Sequence, residues 1–92
     1  MVEISIKEID LTTFEVIVAG PFTTTHLVKV SISYALSLTA SKISTEQLVK
    51  NAFEFLLARE PNTSILREFE LSVIRGYFPD FELEMRNKIP AR

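Results

Sequence analysis

Cysteine is missing from this 92-residue chain. No disulfide framework, thiol nucleophile or thiolate metal site is therefore open to it. Histidine is nearly missing: His26 is the only one, and one imidazole without cysteine cannot build a multi-histidine metal centre. Glycine is scarce, and Gly20 and Gly76 stand far apart, which excludes a glycine-rich loop cradling a phosphate. No Asp-x-Asp-x-Asp-Gly run marks a calcium loop. No metal and no cofactor are expected.

An excess of either charge is also lacking. Ten basic and twelve acidic residues leave a net charge of -2. That is not the basic footprint of a phosphate-binding surface, so no nucleic-acid partner is expected. No apolar run approaches the ~20 residues that span a bilayer. The N-terminus interleaves Glu3, Lys7, Glu8 and Asp10 with apolar residues, unlike the apolar segment of an export signal. A cytoplasmic protein with no membrane partner is the expectation. On that reading the glycosylation triplet Asn62-Thr63-Ser64 is a chance match.

What is present is a foldable composition. The chain is 47% hydrophobic and 24% charged, too apolar for a disordered segment. Its length suits one domain over residues 1–92, with one modest core. The pattern divides into two halves. Residues 2–33 run with period two: Val2, Ile4, Ile6; then Phe14, Val16, Val18; then Val28, Val30, Ile32, each alternating with other residues. Such alternation sets one face of a strand on a core and the other toward water. Leu11-Thr12-Thr13 and Gly20-Pro21 supply the turns, and short connections favour antiparallel neighbours. In the second strand Ile17 and Ala19 make the outer face apolar too, as in a strand covered on both sides or one whose outer face meets a partner.

From residue 44 the period becomes helical. Ser44-Thr45-Glu46-Gln47 fits a capping box, and Ile43 and Leu48 stand at the spacing of a hydrophobic staple. The helix is expected over about 44–59. Leu48, Ala52, Phe55 and Leu56 share a face that Val49, Phe53 and Leu57 widen. So broad a stripe needs a second cover besides the sheet: the C-terminal helices or another copy of the chain. Pro61 disfavours helical geometry at Glu60 and ends the helix. A second helical segment is expected over about 63–76, with Ile65, Leu66 and Phe69 on its apolar side and Gly76 ending it in a left-handed conformation. Pro79-Asp80 suits the first turn of a last helix over about 79–88. Residues 34–43 fit either an extension of the third strand or one helical turn. The fold class is α+β: a three-stranded antiparallel sheet covered by a C-terminal layer of helices.

Few residues carry chemistry. His26 follows Thr23, Thr24 and Thr25, yet no activated nucleophile and orienting acid accompany it, so it reads as a half-exposed strand residue. Tyr77-Phe78-Pro79-Asp80-Phe81 has the aromatics to stack on bases, but the charge balance and helical setting favour core packing. The densest charge cluster is Arg59, Glu60, Arg67 and Glu68. Arg59 complements the negative end of the preceding helix, whereas Glu60 opposes it and needs a partner, with Arg67 and Arg75 within reach. The expectation is a structural Arg–Glu bridge at the helix junction. The competing reading makes Arg59, Glu60 and Arg67 the charged cleft of a small-molecule site or enzyme.

The stretch "STEQLVKNAFEFLLAREPNTSILREFELSVIRGYFPDFE", residues 44–82, resembles a family of small uncharacterised bacterial proteins. The shared pattern is E-L-V, F-x-F-L-L-x-R-E-P, S-I-L-x-x-F-x-L-x-x-I and Y-F-P. It falls on Glu46 to Val49 (with Gln47 interposed), Phe53 to Pro61, Ser64 to Ile74 and Tyr77 to Pro79. "THLVKVSIS", residues 25–33, resembles the strand leading into it. The resemblance implies one domain identity and no activity, substrate or cofactor. The functional expectation is a protein-interaction or regulatory module that self-associates as a homodimer. Its candidate surfaces are the outer face of the second strand (Ile17, Ala19), that strand's edge and the broad helix face.

Overall fold

The computed structural model describes residues 2–89. The single-domain expectation covers 1–92, so Met1 and residues 90–92 lie outside the described part. The fold is α+β. Strands β1 (Glu3–Asp10), β2 (Thr13–Ala19) and β3 (Thr24–Lys29) form the expected antiparallel meander. At the β1–β2 turn the Thr12 amide donates to the Asp10 carboxylate at 2.9 Å, which holds that carboxyl below its usual range. Phe14, Val16 and Val18 of β2 point inward and are buried, as the alternation requires.

The sheet has a fourth strand that the sequence pattern did not announce. β4 (Glu68–Glu70) lies parallel to β3, pairing Leu27 with Glu68 and Lys29 with Glu70. The sheet is therefore four-stranded and mixed, in the order β1-β2-β3-β4. β4 replaces part of the helix expected over 63–76. Pro61 is extended, a 3-10 turn covers Asn62–Ser64, and Ile65 is extended again. β3 would otherwise leave one edge unpaired, and its Leu27 amide already bonds to the Arg67 carbonyl at 2.7 Å. Pairing with that edge overrides the weak local helical pattern. After a second 3-10 turn (Leu71–Val73) comes the short helix α3 (Ile74–Tyr77). Gly76 lies inside α3 and has no positive φ, so it is not the left-handed stop the sequence suggested.

Of the two alternatives for residues 34–43 the helical one is realised, as about two turns rather than one and starting at Ile32. β3 ends at Lys29, Val30 is buried, and Ser31 caps α1 (Ile32–Thr39) by accepting from the Tyr34 amide. The helix ends at Ala40 and Ser41, with φ of 52° and 62°. A left-handed backbone costs an L-residue ~1–2 kcal/mol, and glycine normally stands there.

α2 (Thr45–Leu57) follows, and its cap is as expected: Ser44 Oγ accepts from the Gln47 amide at 3.0 Å. The reciprocal half of the box does not form, because the Gln47 side chain donates to Asn51 Oδ1 instead. The broad stripe of α2 finds its second cover within the chain. α2 packs on β1 and also on α1 and α4 (Phe81–Asn87). Phe55 meets Phe78 and Phe81 edge-on, at ring separations of 5.7 and 5.3 Å. Phe53 lies between His26 and Phe69. Phe53 and Phe81 are wholly buried, and side chains of this kind supply ~1.5–3 kcal/mol each. No helix among the described residues is long and apolar enough to cross a membrane.

Candidate functional site

Two polar regions meet the segment after Pro61, and they are built in opposite ways. The first surrounds His26. Contrary to the half-exposed reading, this side chain is 1% exposed. It shares the inward parity of Val28 on β3 and lies against Phe53, the ring centroids 5.3 Å apart and the planes tilted by 57°. Nδ1 lies 2.7 Å from the Leu66 carbonyl oxygen. A carbonyl only accepts, so Nδ1 carries the hydrogen. Nε2 lies 2.8 Å from Thr24 Oγ1, and in the singly protonated ring it accepts the hydroxyl hydrogen. The Asn62 side-chain amide donates to Thr24 Oγ1 at 2.9 Å and to the Phe22 carbonyl at 2.7 Å. Every nitrogen and hydroxyl of the set has a partner, and among the described residues no buried side-chain polar atom is left without one. The network ties the β2–β3 loop and β3 to the segment that leads into β4. It leaves no ring nitrogen for a substrate.

The second region is the charge cluster, and the structure disperses it. Arg59 pairs with Asp80 at 3.4 Å, donates to the Phe55 carbonyl at 3.0 Å, and lies 3.6 Å above the Phe55 ring. It thereby satisfies a carbonyl at the end of α2, as a cation there should. Arg67 is exposed, and what it gives the fold is its backbone carbonyl, paired with β3. Arg75 pairs with Glu82 at 3.2 Å and sits over the Tyr34 ring. Glu82 also accepts from the Tyr34 hydroxyl at 2.9 Å. That hydrogen bond, helped by Arg75, holds the Glu82 carboxyl below its usual range, while burial and the same bond push the Tyr34 hydroxyl up. The expected bridge from Glu60 to Arg67 or Arg75 is not formed. Among the described residues Glu60 has no ion pair, because each arginine that reaches a carboxylate reaches another one.

Glu60 instead lines an open groove of about 150 Å³. Its floor is apolar and buried: Leu56, Ile65, Phe69 and Ile74. Its rim is apolar and exposed: Leu66 at 49%, Val73 at 39% and Tyr77 at 67%. The groove forms where the end of α2, the approach to β4 and α3 converge. Glu60 is half-buried, follows the negative end of α2, and borders hydrocarbon. Each of these features disfavours a carboxylate that has no cation.

Of the three candidate residues, then, Glu60 lines this groove, and Arg59 and Arg67 do not. Sequence reasoning did not find Leu66, Val73 and Tyr77 as its rim. Their signal was indirect, since each is apolar and next to a residue the core uses. No set of three or more metal-ligating side chains occurs among the described residues. Compared with known protein families, curated proteins and solved structures, the chain matches none. The resemblance over residues 44–82 therefore stands on its motifs alone.

Proposed function

We propose that this chain is a protein-interaction module that self-associates, and that the Glu60 groove is its partner-facing site. The observation that supports it is the position of Glu60, half-buried and without an ion pair, on a groove whose other walls are almost wholly apolar. Its volume of about 150 Å³ is small beside the ~300–1,000 Å³ of sites for drug-sized ligands and cofactors. It suits one large side chain rather than a whole cofactor. The complementary partner is a peptide segment with a bulky apolar residue for the floor and a lysine or arginine nearby for Glu60. Binding would cover Leu66 and Tyr77 and give the carboxylate its missing cation.

The test is selection from a random peptide library displayed on phage. Enriched peptides should pair a large apolar residue with a nearby cation. Their affinity should fall about tenfold on Glu60→Gln and more on Leu66→Asp. An absence of enrichment, or binders indifferent to both substitutions, would remove the groove from consideration. Enriched cations without the apolar residue would point to a different ligand class.

A further inference from the structure

The two edges of the sheet differ. β4 is three residues long, whereas β1 runs for eight and, among the described residues, has no strand on its outer side. Natural edges are usually blunted by bulges, charges or brevity. In β1 the bulge lies at the far end, between Glu8 and Asp10, and leaves Glu3–Lys7 in regular register with β2. Ile4 and Ile6 face the core yet remain half-buried, while Val16 and Val18 beside them on β2 are completely covered. The reason is geometric: open grooves run between β1 and α2, lined by Ile4, Ile6 and Lys50.

We infer that a second copy of this chain pairs with that edge, β1 against β1 and antiparallel, with Ser5 opposite Ser5 of the other copy. The inference rests on the self-association reading and adds the surface and the register. Symmetry narrows the choices first. A two-fold axis that brings two β1 edges together antiparallel stands perpendicular to the sheet, so the core face continues across the junction. Directly opposite residues must then share a face, which allows only registers that match odd with odd and even with even positions. A parallel pairing would set the core face of one copy beside the outer face of the other.

Charge and hydrophobicity then select among the allowed registers. With Ser5 on the axis, Glu3 faces Lys7 twice and Ile4 faces Ile6 twice. With Ile6 on the axis, Ile4 faces Glu8 and Lys7 faces Ser5. With Lys7 on the axis, two lysines oppose each other and Ile4 faces Asp10. With Ile4 on the axis, Glu3 faces Ser5 and Ile6 reaches only Val2. Only the Ser5-centred register makes every pair between Glu3 and Lys7 favourable. It also turns Lys7, ordinarily a device against edge pairing, into a contact that requires the right partner.

The absence of cysteine makes the test clean. Opposite residues of an antiparallel pair have Cα atoms ~4.5–5.5 Å apart, inside the ~4.4–6.8 Å range of disulfides. Ser5→Cys should therefore cross-link two copies under mild oxidation. Lys7→Cys should not, because its two copies would lie about 13 Å apart along the strands. Sedimentation should show a concentration-dependent dimer that Glu3→Lys or Lys7→Glu alone weakens about tenfold. Mixing those two variants should restore it, since each then supplies the charge the other lacks. Monomer mass over a roughly hundredfold concentration range, without cross-linking, would overturn both the register and self-association. A dimer in which Lys7→Cys cross-links, Ser5→Cys fails, or mixing restores nothing would overturn the register and leave self-association standing.

Discussion

His26 and Glu60 both border the segment after Pro61, one deep in the core and the other on a groove. The imidazole is 1% exposed and fully partnered by Thr24 and Leu66, with Asn62 completing the set. The carboxylate is half-buried and has no ion pair among the described residues. A buried polar group that keeps all its hydrogen bonds contributes to one defined structure, whereas one kept without its natural counter-charge is held at a cost. Glu82 provides the contrast in kind. It is also a carboxylate, yet it receives both the Tyr34 hydroxyl and the Arg75 guanidinium. Glu82 is given two donors, whereas Glu60 has no ion pair among the described residues.

The largest effect should come from breaking the histidine set. His26→Phe keeps a ring against Phe53 but strands the Leu66 carbonyl and removes the acceptor for Thr24. Two orphaned groups at ~1–3 kcal/mol each predict a loss of about 3 kcal/mol in denaturant titration. A loss below ~1 kcal/mol would show that the network does not hold β4 in place. Asn62→Ala keeps the histidine bonds and removes the amide that reaches Thr24 and Phe22. A smaller loss of ~1–2 kcal/mol is expected, because this end of the network is partly exposed.

Tyr34→Phe tests whether Glu82 is a structural acid. Its folded pKa lies below the ordinary 4.5, so its stabilisation is present above that value and is lost as pH falls through the lowered one. The gap between wild type and Tyr34→Phe should be about 1 kcal/mol near neutrality and shrink through that acid window. A gap independent of pH would mean that the hydroxyl does not act through the carboxylate.

These contrasts also mark what was legible in the sequence. The meander and the cap at Ser44 were, because period-two alternation and an Ser-x-x-Gln cap act through nearest neighbours. His26 was legible in principle: it stands in phase with Val28 and Val30, and that parity outweighs its polarity once partners exist. β4 was not legible, since Ile65, Phe69 and Leu71 fit a helix as well as an irregular strand, and only the unpaired edge of β3 decides between them. The end of α1 was hidden because alanine and serine occupy left-handed positions where glycine would have signalled a stop. The charge cluster misled for a related reason. Proximity in sequence placed Glu60 with Arg67, but Asp80 and Glu82 are the carboxylates the arginines reach.

The claim that Glu60 is kept for a partner rather than for folding is tested most directly by the stability of Glu60→Gln. The substitution preserves shape and removes the charge that opposes the end of α2. The expected outcome is a stability equal to or above wild type, with any loss no greater than about 0.5 kcal/mol. A loss of more than ~1 kcal/mol would contradict it and return Glu60 to a structural role.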